Sequence, residues 1–129
     1  MKFFSLIASV ALASATLLAP VALQAHSKVA SSMPAEGATV AKPRVVTMNF
    51  TEALLTPTAV ASIVMTAMPG VKNHAEMVIR NFTPSWSNGN KTLTLKLREP
   101  LRAGSYEVRW QAAGADGHRM TGKVSFNVK

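Results

Sequence analysis

Residues 92 to 97 read TLTLKL, so Leu93, Leu95 and Leu97 alternate with Thr92, Thr94 and Lys96. A period of two puts the three leucines on one side of an extended chain and the polar residues on the other, the pattern of a half-buried strand. The same alternation recurs on both sides of it. In RVVTMNF, residues 44–50, Val46, Met48 and Phe50 share a face; in SYEVRW, residues 105–110, Tyr106, Val108 and Trp110 do; in KVSFNV, residues 123–128, Val124, Phe126 and Val128 do. An apolar run, VASIVM at 60–65, predicts a buried strand, EMVIRNF at 76–82 a further one, and KVASSM at 28–33 an initial one. Between them stand MPAEG, KP, TPT around Pro57, MPG at 68–70, NGN at 88–90, RAGS and GADGH, each carrying the Pro, Gly or Asn that turns require. About seven strands with such punctuation predict an all-β fold, an antiparallel β-sandwich. No segment has a convincing helical period, and neither a repeat nor a linker marks a second domain.

The front of the chain differs. After Met1 and Lys2 it runs apolar from Phe3 to Ala25, with Ser, Thr, Pro and Gln as the only interruptions. One positive charge, an apolar core and a small residue at its end predict a secretory signal peptide over 1–25, cleaved after Ala25, although Leu23 departs from the ideal A-x-A ending. The competing reading is a retained membrane anchor, which Ser5, Ser9, Ser14, Thr16 and Pro20 weaken. Taking 25 residues from 129 leaves 104, the size of one domain, over 26–129.

The full chain carries 14 Lys and Arg against 6 Asp and Glu, a formal charge of +8, or about +7 once Lys2 is removed. These charges are scattered singly, with no run and no aromatic platform, so nucleic acid is not an expected partner. There is no cysteine, hence no thiolate as nucleophile or ligand and no disulfide. Soft-metal chemistry, if present, falls to the seven methionines.

Three histidines are available: His26, His74 and His118. Asp116 and His118, two apart, would project to one side of an extended segment and supply a carboxylate and an imidazole to an N/O-preferring ion such as Cu(II). The plainer alternative is an Asp-Gly turn with a bystander His. If cleavage makes His26 the first residue, its α-amine and imidazole can chelate one metal. The amine titrates near 7.7 to 8.0, so a metal displaces its proton readily. Met65, Met68, His74 and Met77 fall within 13 residues around a Pro-Gly loop, a soft donor set suited to Cu(I), the alternative being Met as core filler. Met33, Met48, Met120 and Trp110 read as core or rim residues.

Taken together, HSKVASSMPAEGA (26–38), MNFTEAL (48–54), VMTAMPG (64–70), LRAGSYEVRWQAAGADGHRMTG (101–122) and VSFNVK (124–129) resemble the CopC/PcoC copper-resistance proteins, small periplasmic copper carriers. The resemblance spans 26–129 and implies a cupredoxin-like Greek-key β-sandwich or barrel. It implies Cu(II) ligation by the mature N-terminal His26 with Asp116 and His118, and Glu52 as a further acid nearby. It also implies Cu(I) ligation by Met65, Met68, His74 and Met77. Val71 stands where copper-resistance members carry another Met, and Asn73 resembles a one-residue insertion. The implied role is copper binding and carriage in the periplasm for resistance or homeostasis, without catalysis and as a monomer. The implied partners are an inner-membrane copper transport protein of the CopD kind or a periplasmic multicopper oxidase. Two alternatives remain at this point: a copper-dependent oxidative enzyme with an N-terminal histidine brace, as in lytic polysaccharide monooxygenases, and a structural β-sandwich without metal.

Overall fold

A computed structural model describes residues 28–129. The expected signal segment and His26 lie outside them. The described residues carry no helix and form nine strands: β1 Val29–Met33, β2 Thr39–Val40, β3 Val45–Phe50, β4 Leu54–Ala67, β5 Met77–Ile79, β6 Phe82–Ser87, β7 Thr92–Leu97, β8 Gly104–Gly114 and β9 Arg119–Val128. They make two sheets, one ordered β1-β3-β7-β6 and the other β2-β9-β8-β4-β5. Every pairing is antiparallel except β2 with β9, where Thr39 lies opposite Asn127. This is the predicted β-sandwich, with one short parallel edge that alternation could not foretell.

The alternating apolar residues meet between the sheets. Val46, Met48 and Phe50 from β3 and Leu93, Leu95 and Leu97 from β7 are buried against Tyr106, Val108 and Trp110 from β8 and Val124, Phe126 and Val128 from β9. Each such side chain contributes about 1.5–3 kcal/mol by leaving water, which is how a chain without cysteine holds this fold. Phe50 sets its ring edge-on to Trp110, with centroids 4.9 Å apart. Tyr106 stacks on Phe126 at 5.7 Å and donates its hydroxyl to the Arg102 carbonyl.

Two sequence expectations need correction. The run at 76–82 is not one strand. Met77 to Ile79 pair with β4, but Phe82 opens β6 and pairs with Leu97 in the other sheet. The chain changes sheets at Arg80 and Asn81, both exposed, with the Asn81 carbonyl accepting the Arg98 N–H. Apolar content alone does not show such a crossing.

The strand expected at 60–65 runs much further, from Leu54 to Ala67, straight through the turn expected at Pro57. Proline lacks the N–H that a ladder needs, so it survives here in an irregularity between Leu55 and Val60. The Thr58 hydroxyl fills the gap, accepting the Ala113 N–H at 2.8 Å and donating to the Leu55 carbonyl at 2.6 Å. At the NGN turn between β6 and β7, Asn88, Gly89 and Asn90 all take positive φ, which Asn and Gly tolerate best.

Candidate metal centre

The hairpin joining β8 to β9 holds the Asp116–His118 pair. It closes with the Gly114 N–H on the His118 carbonyl and the Gly117 N–H on the Gly114 carbonyl, and Gly117 takes the left-handed φ of +83° that this closure demands. The expectation of an extended segment projecting both side chains to one side is therefore wrong in mechanism. The two groups meet because the chain turns. One Asp116 oxygen accepts the His118 backbone N–H at 3.0 Å, and the other lies 2.8 Å from His118 Nδ1.

That contact fixes the imidazole's chemistry. An ionised carboxylate can only accept, so Nδ1 carries the proton and the ring's lone pair resides on Nε2. The His118 ring and backbone N–H hold the Asp116 carboxyl below the usual carboxylate range, so it stays ionised at neutral pH. The His118 side chain is 74% exposed and that of Asp116 46%. The pair is a surface feature presented by a hairpin tip.

Glu52 sits in the bend between β3 and β4, at the same end of the sandwich. Leu54, two residues on, lies opposite Gly114 at the base of the hairpin. Just before it, Thr51 is bonded twice to Lys28: the Thr51 N–H donates to the Lys28 carbonyl at 2.9 Å, and the Lys28 N–H to Thr51 Oγ1 at 3.0 Å. Lys28 is thus tied one residue from Glu52, and His26 precedes it by two residues, outside the described part. Among the described residues no three His, Asp or Glu side chains gather as a metal group. Asp116 and His118 alone make an incomplete donor set.

The methionine cluster lies at the other end of β4. Met65 faces Met77 across the β4–β5 ladder and Tyr106 across the β4–β8 ladder. Directly opposed residues project to the same face of a sheet, so Met65, only 3% exposed, and Met77, 49% exposed, share one side. With Met68 they line a cavity of about 180 Å³ whose remaining apolar wall is Ile79, Pro100, Leu101 and Tyr106. His74 is not in that wall. Its Nδ1 is buried and has no hydrogen-bond partner among the described residues, an uncommon state for a polar atom.

Val71 is 48% exposed and also outside the wall. Asn73 adopts φ +54°, the left-handed turn that an inserted Asn can take. The donor types fit a soft ion: three thioethers on one cavity, with an unsatisfied imidazole in the loop beside it.

The loop is fastened by a contact that sequence reasoning missed. Glu76 receives two bonds from the Arg109 guanidinium, at 2.7 and 3.0 Å, and Arg109 Nε also reaches Glu107 at 2.9 Å. The Arg109 guanidinium holds Glu76 below the usual carboxylate range. The only sequence signal was the placement of Arg109 on the outward face of an alternating strand. Trp110 is core as expected, with Nε1 buried and unpartnered among the described residues.

The two clusters are far apart. Met65 lies opposite Tyr106, near the start of β8, and Leu54 lies opposite Gly114, at its end. Eight residues of strand separate these points, roughly 27 Å at the usual rise.

Residues 29–129 match the CopC domain. The copper resistance protein C of Pseudomonas syringae pv. tomato is 41% identical over 120 residues, covering 93% of this chain and 94% of that protein. The copper resistance protein C of Xanthomonas campestris pv. juglandis is 35% identical over 126 residues, with 98% of each chain covered. The crystal structure of PcoC, a methionine-rich copper resistance protein from Escherichia coli, superposes with a TM-score of 0.72 at 35% identity. That alignment covers 81% of this chain and all of the other.

Proposed function

The chain belongs to the CopC family, and from that membership we propose that it is a periplasmic copper carrier for copper resistance or homeostasis, not an enzyme. Export requires the signal peptide expected over 1–25. Its removal after Ala25 turns His26 from one ligand into two, an amine and an imidazole.

Cu(II) is then held by His26, Asp116 and His118, with Glu52 beside them, three nitrogens and carboxylate oxygen suiting a tetragonal ion. The observation that carries this reading is the convergence at one end of the sandwich. The Lys28–Thr51 tether delivers the chain to the bend bearing Glu52, next to the β8–β9 hairpin. His26 precedes Lys28 by two residues, a length of chain that spans at most about 7 Å. The Asp116 carboxylate lies 2.8 Å from His118 Nδ1, so to join the same ion as Nε2 it would leave that bond and turn toward the metal.

Cu(I) is held by Met65, Met68 and Met77, with His74 supplying the nitrogen that is otherwise unsatisfied. The separation of roughly 27 Å along β8 argues against direct passage of an ion from one site to the other within a molecule. Each site instead exchanges copper with a partner, for which an inner-membrane transport protein of the CopD kind and a periplasmic multicopper oxidase are the candidates.

N-terminal sequencing of the exported protein, followed by electron paramagnetic resonance of its Cu(II) form, tests the reading. Mature chains starting at His26, with one nitrogen ligand lost in His118→Ala, are expected. A mature chain beginning elsewhere removes the chelate and with it the Cu(II) site.

A further inference from the structure

Six Asp and Glu side chains serve the whole protein, and five of them are engaged. Glu36 accepts the Ser125 N–H, Glu76 and Glu107 bind Arg109, Asp116 binds His118, and Glu52 has an interaction of its own. Glu99 alone has neither a hydrogen bond nor an ion pair among the described residues, and it lines the cavity of the three methionines. Its position there is set by backbone and not by chance. The Arg98 N–H donates to the Asn81 carbonyl at 3.0 Å and the Leu101 N–H to the Pro43 carbonyl at 3.0 Å, so the β7–β8 loop is pinned on both sides of Glu99.

The proposed donors there, three thioethers and an imidazole, are all uncharged. A cation entering this cavity meets a protein with a formal charge of about +7 once Lys2 is removed with the signal segment, and Arg102 lines the same wall without forming an ion pair to Glu99. A negative charge at the mouth would favour a monovalent cation there by ordinary Coulomb attraction.

We infer that Glu99 is the charge-compensating carboxylate of the methionine cavity, drawing Cu(I) to its mouth and balancing its charge once bound, without ligating it. Hard carboxylate oxygen is a poor match for Cu(I), whereas thioether sulfur is a good one. Glu99 therefore acts through its field, and Arg102 opposes it. This inference rests on the proposed Cu(I) site and adds to it a residue that tunes its affinity.

The test is anaerobic competition for Cu(I) against a chromophoric chelator, run at low and high ionic strength, with X-ray absorption of the copper shell. Glu99→Gln is expected to weaken Cu(I) binding about three- to tenfold at low salt. The gap should close near molar salt, where the screening length falls to about 3 Å. Glu99→Asp should restore most of the affinity, Arg102→Gln should raise it, and the sulfur and nitrogen shell should stay unchanged in all three. If the wild-type protein binds Cu(I) and Met68→Leu with Met77→Leu abolishes binding, yet Glu99→Gln matches wild type at low salt, Glu99 has no such role while the methionine site stands. An oxygen scatterer lost in Glu99→Gln would likewise overturn the field-only role. Failure of the wild type to bind Cu(I) removes the site and this inference together.

Discussion

Arg109 and Glu76 share two hydrogen bonds, of 2.7 and 3.0 Å, that tie the β4–β5 loop to the middle of β8. Glu76 lies between His74 and Met77, so this contact governs how well the loop's donors stay together. Among the described residues the loop is otherwise held by a turn bond from the Val71 N–H to the Met68 carbonyl, by the packing of Met68 against the core, and by the three residues of β5.

Arg109→Gln should therefore loosen residues 71–76 without unfolding the sandwich. Amide hydrogen exchange across the loop should quicken by a factor of no more than about five, the scale of an exposed ion pair. Cu(I) affinity should fall while Cu(II) affinity holds. The pH dependence follows from Glu76. Its folded-state carboxyl titrates below its ordinary value, so the tie is complete above the unfolded value and is lost as pH falls through the lower, folded one. Loop exchange, corrected for its intrinsic pH dependence, should stay flat down to the usual carboxylate range and rise only beneath it.

Asp116 is predicted to matter through its grip on His118 as well as through its charge. In Asp116→Asn the neutral amide no longer enforces a proton on Nδ1, and the ring loses both its fixed tautomer and its anchor. Disturbing a ligand's carboxylate partner costs about 10- to 100-fold in metal affinity, and Cu(II) competition titration should show a loss of that order. Cu(I) binding, at the other end of β8, should be unchanged.

The fold was legible because β3, β7 and most of β8 and β9 bury alternate residues. Met48, Leu95 and Val108 are buried to within 1% of completeness at positions that a period of two assigns to one face. What alternation could not reveal was anything decided by the partner strand. The crossing at Arg80 and Asn81 depends on which sheet Phe82 joins, and the passage of β4 through Pro57 depends on a Thr58 hydroxyl replacing a ladder bond. The site shows the same division. Asp116 with His118, and Met65 with Met77, are near in sequence, so spacing singles them out as candidates, although a turn and not an extended segment brings Asp116 to His118. Glu99 and Arg109 reach the methionine end only through the sheet register and the β7–β8 loop, so nothing near them in the chain marked them.

Gly122 is predicted to be irreplaceable for a reason of packing. It lies opposite Trp110 in the β8–β9 ladder, and a Cβ there would stand 2.7 to 2.8 Å from the indole ring. The ring cannot retreat easily, because Phe50 meets it edge-on from the other sheet. Gly122→Ala should cost about 1–3 kcal/mol, lowering the melting temperature by roughly 4–8 °C per kcal/mol in a domain of this size. Differential scanning calorimetry measures the loss, and a shift in tryptophan emission would locate it at the indole.

Val71 gives the sharpest test of how many sulfurs the Cu(I) site needs. It occupies the place where the family resemblance expects another methionine, yet it is half exposed and absent from the wall formed by Met65, Met68 and Met77. A methionine at 71 would thus add a sulfur outside the cavity. Val71→Met should change Cu(I) affinity within about twofold, as exposed substitutions do, whereas Met68→Leu should abolish most of it by removing a wall sulfur. The measurement is chelator competition on the two variants side by side. A large gain from Val71→Met would mean that the β4–β5 loop folds inward around the metal, bringing residue 71 to the cavity and replacing the three-sulfur site with a four-sulfur one.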